Sequence, residues 1–250
     1  MDIKEHKILF KKFIKQYVET GIEAFLVKAS HTGDVLNIIT ILGQNLKLDQ
    51  RQLFLAQLTA LYHDLGRFIQ YDKYKTFKDH LSIDHSIESV NLLQELNFLG
   101  NLPHEEQALI KLAILEHNKK NMSLNLSQSE IYLAMLIRDA DKLSNFPFFL
   151  KNYDKFKVSI SNYYKPEFLK FILNKTPISN TNLETIEDYY LYHLSWFNDL
   201  NYKVSIDYTV KENYISQIIS KVKDLEIQLQ LSTHFKNLQS DKSLYQKCNF

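Results

Sequence analysis

Apolar residues recur at helical spacing along most of this chain, and polar turns separate the helical stretches. The first predicted helix covers about residues 3–20. Its buried stripe would contain Ile8, Leu9, Phe13 and Tyr17. After a break at Gly21, a second helix is predicted at about 22–46, with Ser30 as the position of a restart, and a third begins after an Asp49 cap. Three more helices are predicted, one from Ser82 or Asp84 to about 96, one at 104–117, and one from a Ser127 cap to about 143. The polar and aromatic residues 70–82 predict a loop.

The pattern changes at Asn145, where the helices become rich in aromatic residues and lysine. Helices are predicted at 146–164, 167–173, 183–197 and 210–231, with a linker at 174–182. Because no segment has a convincing strand pattern, we predict an all-α fold. The C-terminal helices are amphipathic and need a surface to cover their apolar faces. We therefore predict a single helical domain over residues 1–250, a bundle core at about 25–150 with a C-terminal extension at about 151–250 packed on it.

Composition narrows the class of protein. The chain has 250 residues, 45% of them hydrophobic, which is enough for a substantial core. The net charge of +1 gives no strong signal for nucleic acid or an anionic membrane. The sole cysteine, Cys248, excludes an internal disulfide and fits a reducing compartment. The N-terminus is charged rather than apolar, and no stretch approaches ~18 apolar residues. We therefore expect a cytoplasmic protein without a membrane partner.

The first candidate for chemistry is His63-Asp64, at the end of an apolar helical stretch. Neighbouring residues of a regular helix point about 100° apart and do not share one small target. Near a helix end, with Gly66 relaxing the backbone, both side chains can approach one ion. A histidine and a carboxylate together suit Mn, Fe, Co, Ni or Zn.

Four more ionisable residues lie on or beside core-facing stripes of other predicted helices. These are His31, His85, His117 and Asp141. Burying such groups without a partner costs several kcal/mol each, and a shared cation removes that cost by taking them as ligands. Helical bundles assemble metal sites in this way, from inward side chains on facing helices.

The remaining histidines have plainer explanations. We expect His6, His104 and His234 to be solvated and His193 to be a hydrogen-bonded core residue, while His80 is a weaker candidate for a cleft.

Taken in order, these motifs resemble the HD-domain superfamily of metal-dependent phosphohydrolases over about residues 25–150. The resemblance depends on an H…HD…D pattern, read here as His31, His63-Asp64 and Asp141. It is reinforced by four phrases, H-D-L-G-R-F-I-Q-Y, K-T-F-K-D-H-L-S-I-D-H, L-E-H-N-K and L-I-R-D-A-D-K-L. The longer phrases are similar to those of a bacterial stand-alone subgroup. The resemblance implies an all-helical fold and a divalent metal held by His31, His63, Asp64 and Asp141.

The resemblance leaves the number of metal ions open. Histidines between the HD pair and the last aspartate bind a second ion in binuclear members, with the HD aspartate bridging, and His85 and His117 occupy that order here. His117 acting as an acid on substrate phosphate is the alternative. The G-Y-P signature of the cyclic-di-GMP-degrading branch is absent, and so is a recognisable synthetase domain of the alarmone enzymes.

Substrate contacts are suggested by the basic residues near the motifs. Only three of 30 basic residues are arginines, and Arg67 and Arg138 are near the predicted ligands. Arginine offers a planar fork for phosphate. The alternatives are packing of Arg67 on Phe68 and Tyr71 or pairing with Asp72, and pairing of Arg138 with Asp139 or Asp141. Lys142 is a second phosphate candidate, and weaker candidates are Lys75, Lys78, Tyr71 and Tyr74.

The leading functional prediction is a phosphohydrolase acting on a small phosphate ester or a nucleotide through metal-activated water. Its predicted catalytic residues are Asp64, Arg67, His85, His117 and Lys142, with one or two ions of Mn, Fe, Co, Ni, Zn or Mg as cofactor. The general acid is His85, His117 or a water. A di-iron oxygenase and a non-catalytic metal- or nucleotide-binding regulatory protein are the alternatives. A homodimer is the default assembly.

Overall fold

The described part of the chain is built from α-helices and short 3-10 turns. The computed structural model describes residues 2–155, 163–178 and 183–240, and no strand occurs within these ranges. The predicted all-α class is therefore confirmed. The helices are α1 (Ile3–Val18), α2 (Glu23–Asn45), α3 (Gln50–Tyr62), α4 (Leu65–Tyr74), α5 (His85–Glu95), α6 (His104–His117), α7 (Gln128–Asn152), α8 (Pro166–Leu173), α9 (Ile186–Ser195), α10 (Lys203–Lys211), α11 (Tyr214–Ile219) and α12 (Leu225–Ser240).

The chain divides into two compact units, residues 1–144 and 145–250. In the first unit α2 packs on α3, α4 on α5, and both α3 and α5 on α6. The single-domain organisation with a packed extension stays a prediction. None of the described helices combines the length and apolar character needed to cross a membrane.

Helix α2 shows why an ionisable residue enters the core. Val35, Ile39 and Leu42 are fully buried, and His31 lies on the same stripe with 8% exposure. The apolar residues at helical spacing fix the rotation of the helix, and the histidine is carried inward with them. The possible restart at Ser30 is wrong, because α2 runs unbroken from Glu23 to Asn45.

The predicted stripe of α1 is wrong in its rotation. The buried residues are His6, Phe10, Ile14 and Tyr17, and Ile8 is 64% exposed. His6 was expected in solvent, but it is 1% exposed, and its Nδ1 lies 2.9 Å from the Tyr62 hydroxyl. Because the Tyr62 hydroxyl gives it a polar partner in the core, His6 is buried on the face of α1 where the apolar pattern had predicted Ile8.

The predicted loop at 70–82 is helical in its first part. Helix α4 continues to Tyr74, and the next residue, Lys75, has a left-handed backbone that ends the helix. Gln70 is fully buried, and its amide donates to Asp79, Ser82 and the Ile83 carbonyl. Its side chain thus organises the turn that follows, which contains a short 3-10 helix at Asp79–Leu81. Of the two starts predicted for the next helix, Ser82 and Asp84, the structure has Asp84, which caps α5.

Several C-terminal boundaries also differ from the prediction. Helix α7 was expected to stop near 143 but runs to Asn152 with Pro147 inside it. The predicted helix 210–231 is instead divided among α10, α11 and α12, with a left-handed Asn213 at the first break. Parts of the predicted helix 146–164 and of the linker 174–182 lie outside the described residues.

The second unit has an aromatic core around α9. Phe146 and Phe197 stack with centroids 4.3 Å apart, and Phe149 stacks on His193 at 3.8 Å. His193 is 2% exposed and its Nδ1 lies 2.8 Å from the Tyr153 hydroxyl, so its predicted hydrogen-bonded core role is confirmed. The other two histidines expected in solvent differ: His104 is exposed, whereas His234 is half-buried and contacts Asn198 at 2.9 Å.

The buried His193 predicts a loss of stability in mild acid. Burial lowers its pKa from 6.5 to about 3, so the unfolded chain takes up a proton that the folded chain refuses. This contribution to the free energy of unfolding is fully present above pH 6.5 and is lost as the pH falls toward 3. At pH 5 the free energy of unfolding should be lower by about 2 kcal/mol than at neutral pH. We expect His193→Phe to be less stable at pH 7, because Tyr153 loses its partner, but to have a flatter dependence between pH 7 and 5.

The measurement is urea unfolding at both pH values, followed by fluorescence of Trp196, which contacts His193 edge-on at 5.3 Å. The other titratable rings that contact His193 are those of Tyr153, Tyr189 and Tyr192. His104→Gln, at an exposed position, is the control and should keep the wild-type slope. Equal slopes for all three proteins would contradict the assignment.

Candidate metal centre

His63 and Asp64 occupy a break between two helices. Helix α3 ends at Tyr62, α4 begins at Leu65, and Asp64 leaves helical geometry with φ −110° and ψ 18°. The predicted helix end is therefore present, but the prediction that Gly66 relaxes it is wrong. Gly66 lies inside α4, where a Cβ would overlap the His85 carbonyl oxygen and lie 2.9 Å from the Ser89 nitrogen. Its role is to let α4 and α5 approach each other.

Three helical elements bring the first group of predicted ligands together. The Nε2 of His31 is 3.0 Å from Asp141 Oδ1 and 3.7 Å from Asp64 Oδ2. The Nε2 of His63 is 3.7 Å from the same Asp64 oxygen and 3.9 Å from Asp141 Oδ1. Residues separated by up to 110 positions in the sequence thus aim their donor atoms at one small volume.

A second group of donors faces the other oxygen of the same carboxylate. His85 Nε2 is 3.4 Å and His117 Nε2 is 3.9 Å from Asp64 Oδ1. The two imidazole nitrogens are 3.1 Å from each other. Asp64 therefore lies between two sets of donor side chains, one for each carboxylate oxygen. The full set of six side chains, called the His/Asp cluster below, is His31, His63, Asp64, His85, His117 and Asp141.

Each histidine of the His/Asp cluster is oriented through its other ring nitrogen. The Nδ1 of His31 lies 3.1 Å from Ser144 Oγ, and that of His63 lies 2.8 Å from the Ala60 carbonyl. The Nδ1 of His85 lies 2.7 Å from Asp79 Oδ2, and that of His117 lies 2.5 Å from the Ile114 carbonyl. Carbonyl and carboxylate oxygens only accept, so the Nδ1 atoms facing them carry the protons. Ser144 donates to the Asp141 carbonyl and so accepts from His31. All four Nε2 lone pairs then point into the cluster, the arrangement of metal-ligating imidazoles.

A cation fits this donor set. Within the described residues the buried Nε2 atoms of His31 and His63 have no hydrogen-bond partner, which is costly without an ion. The Nε2 lone pairs of His85 and His117 face each other, and burial, reinforced by His85 and His63, lowers the pKa of His117 to about 3. His117 therefore does not supply a proton to the gap near neutral pH, whereas a divalent ion would remove the repulsion and satisfy the donors.

Charged residues keep the central carboxylate ionised. Burial alone would raise the pKa of Asp64, but the charges of Lys28 and Arg67, with His63 nearby, hold it well below its usual range. Lys28 Nζ lies 2.8 Å from Asp64 Oδ2, and Arg67 Nε lies 3.6 Å from Asp64 Oδ1. The sequence reasoning missed Lys28, although it precedes His31 by nearly one helical turn on α2.

The structure places Arg67 beside the His/Asp cluster, held by protein groups. Its Nη1 donates to Gln70, to the Phe77 carbonyl and to Asp79 at 2.6–2.8 Å. Asp79, rather than Asp72 as the predicted alternative had it, is the partner. Asp79 was also missed as a site residue, although it lies in a quoted motif six residues before His85.

Arg138 has a structural task at the end of α6. It is 7% exposed, and its Nη1 donates to the carbonyls of Glu116, His117 and Lys119. These bonds satisfy carbonyls that the helix end leaves unpaired and fix the backbone that carries His117. The proximity of this arginine to the motifs is thereby explained without a substrate contact.

The other predicted substrate contacts are mixed. Lys142 is partly exposed on α7, next to Asp141. Tyr71 packs against Phe25 and Phe77, with ring centroids 5.4 and 4.8 Å apart, which does not suit base stacking. The Lys75 amino group contacts the Asp72 carbonyl. The remaining candidates are exposed: Tyr74, Lys78 and His80.

The cluster is accessible from one side. The side chains of His63, Asp64, His85 and His117 are at most 4% exposed, whereas Asp141 is 29% and Lys28 18% exposed. A ligand would therefore approach past the aspartate of α7 and the lysine of α2.

Among known protein families, the model described as HD domain matches residues 29–145. No curated protein and no solved structure matches the chain. The matched range contains the whole His/Asp cluster and ends one residue after Ser144.

Proposed function

Because residues 29–145 make this chain a member of the HD-domain superfamily, we propose that it is a metal-dependent phosphohydrolase. Its substrate would be a small phosphate ester or a nucleotide, hydrolysed in the cytoplasm. The bacterial stand-alone subgroup and the homodimer remain predictions from the sequence.

One observation carries the proposal. Asp64 presents Oδ2 to His31 and His63, and Oδ1 to His85 and His117, within 3.4–3.9 Å. With imidazole donors beside each of its oxygens, this carboxylate would suit the binding of two divalent ions. His31, His63, Asp64 and Asp141 would hold the first, and His85, His117 and Asp64 the second. Bound here, divalent ions would supply a water activated at neutral pH and charge neutralisation of phosphate oxygens.

The chain's own residues would do the remaining work. Asp141 and Lys28 border the accessible side, where Lys28 offers a positive charge to an entering phosphate. Arg67 lies next to Asp64 on a framework fixed by Gln70 and Asp79, so its guanidinium is pre-oriented for an anion. Lys142 is a further candidate for the outer phosphate oxygens. With Nδ1 engaged and Nε2 facing Asp64, His117 is better suited to be a ligand than a general acid.

The completeness of the donor set weighs against a non-catalytic relative, since binding alone would not require all six ligands. The same six donors would suit a pair of iron ions in an oxygenase. That alternative is separated from hydrolysis by the metal present and by the reaction observed.

The test is metal analysis of the purified protein joined to a phosphoester screen. We expect one or two divalent ions per chain, removable with a chelator. After reloading with Mn²⁺, Co²⁺, Ni²⁺ or Mg²⁺, we expect release of p-nitrophenol or phosphate from at least one member of a panel of mono- and diesters and nucleotides. Absence of release with every metal would overturn the proposal, and two irons with oxygen uptake would favour the oxygenase.

A further inference from the structure

A single carboxylate on the turn between α4 and α5 contacts groups on both of these helices and on the residue that follows α6. Asp79 Oδ2 lies 2.7 Å from His85 Nδ1, at the start of α5. Its Oδ1 accepts from Arg67 Nη1 and Gln70 Nε2 of α4, both at 2.8 Å. The Asn118 amide, directly after α6 and next to His117, donates to Oδ2 at 3.3 Å.

The turn that carries Asp79 is itself fixed by a buried amide. Gln70, fully buried, donates to Asp79, to Ser82 Oγ and to the Ile83 carbonyl. Ser82 also donates to the Lys78 carbonyl. The position of the Asp79 carboxylate is therefore set by the core of α4, although its side chain is 31% exposed.

The contact with His85 decides which ring nitrogen carries the proton. A carboxylate accepting from Nδ1–H leaves the Nε2 lone pair for the cluster, where it faces Asp64 Oδ1 at 3.4 Å. Such a carboxylate also makes the imidazole a stronger ligand. The neighbouring Asp84 has other partners, because its Oδ1 accepts from the Ser86 nitrogen and hydroxyl and from the Asn118 amide.

We propose that Asp79 is a positioning residue that couples the second half of the centre to the phosphate-binding arginine. It fixes the tautomer of His85, and hence ion binding at the His85–His117 side of Asp64, while it also holds Arg67 in place. The coupling to substrate rests on the proposed function, whereas the control of His85 does not.

The first experiment uses the metal-free protein and does not depend on hydrolysis. Two-dimensional ¹⁵N–¹H NMR of histidine-labelled protein reports the tautomer, and His85→Gln assigns the signal of His85. We expect an Nδ1–H tautomer in the wild type and its loss or mixing in Asp79→Asn. An unchanged Nδ1–H tautomer in the variant would overturn the proposal.

The second experiment is calorimetric titration of the metal-free protein with Mn²⁺. We expect two binding events in the wild type, and in Asp79→Asn a weakening of one of them by about 10–100-fold with the other kept within about threefold. Two unchanged affinities would overturn the proposal. A wild type that binds no Mn²⁺ would count against the proposed function, and the NMR result would then decide the role of Asp79 by itself.

Asp84→Asn is the matched control. It removes the same charge, and both carboxylates lie within 4.8 Å of a His85 ring nitrogen, but asparagine is an equally good helix cap. It should keep the wild-type tautomer and affinities, and if it behaved like Asp79→Asn, charge rather than position would be the cause. If Asp79→Asn does not fold, Asp79→Glu, which keeps the charge and shifts the carboxylate, should show the same weakening to a smaller degree.

Discussion

Replacing Asp64 by asparagine is expected to abolish phosphoester hydrolysis and remove most of the bound metal. The amide keeps the size of the side chain but loses the charge and one acceptor oxygen, so it cannot serve the ligands on both of its sides. Residues outside the ligand set typically change metal affinity or activity by about 10–100-fold, and loss of the central ligand should exceed that range. Metal content by mass spectrometry and initial rates on the best substrate give the two readouts.

The control for Asp64→Asn is Asp34→Asn, an exposed aspartate one helical turn after His31 on α2. It removes the same charge near the centre without touching a ligand, so metal content and rate should stay within about twofold of wild type. Circular dichroism must show that both variants are folded. Retention of both metal and activity by Asp64→Asn would contradict the central role given to this carboxylate.

The largest effect on stability is expected from Gly66→Ala. The added methyl would meet the His85 carbonyl oxygen, the Ser89 nitrogen and the Glu88 Cβ, and most of these atoms belong to backbone that cannot rotate away. Overpacking a core typically costs about 1–3 kcal/mol, and we expect about 3 kcal/mol or more here because α4 and α5 must separate. The separation of the two helices would also move His85 and Arg67. Folded Gly66→Ala protein should therefore bind Mn²⁺ more weakly than the wild type.

Gly33→Ala is the matched comparison, since Gly33 lies inside α2 and a Cβ there meets nothing within 4 Å. Alanine is favoured over glycine in a helix by about 1 kcal/mol, so this variant should gain stability. Urea unfolding of both proteins, metal-free, measures the difference. If Gly66→Ala were as stable as the wild type, the close approach of α4 and α5 at this glycine would not be required.

The convergence of the His/Asp cluster could be predicted from the sequence because helical periodicity reports which way a side chain points. His31 shares its stripe with Val35 and Ile39, and His117 follows Ile114 at the end of α6. Such residues are placed by the packing of their apolar neighbours, so the pattern alone assigns them to the interior. The break at His63-Asp64 was also expected, although the residue held responsible for it was wrong.

The residues around the ligands were harder to predict because they come from turns or depend on rotation. Asp79 belongs to a turn whose shape is decided by Gln70, a buried polar residue that periodicity treats as surface. Gly66 was interpreted through its backbone freedom, whereas its role is the space it leaves for a neighbouring helix. His6 was predicted to be in solvent because its hydrogen-bond partner, the Tyr62 hydroxyl, lies 56 positions later in the chain and no local pattern reveals it.

The hydrogen bond between His31 and Ser144 spans 113 positions of the chain, and this distance matters during synthesis. A ribosome that has made α2 through α6 has produced five of the six predicted ligands but neither Asp141 nor the hydroxyl that orients His31. Until α7 is synthesised, the donor set is therefore incomplete. The complete donor set can therefore form only after α7 has left the exit tunnel, and we expect a chain truncated before α7 to lose metal binding that depends on Asp141.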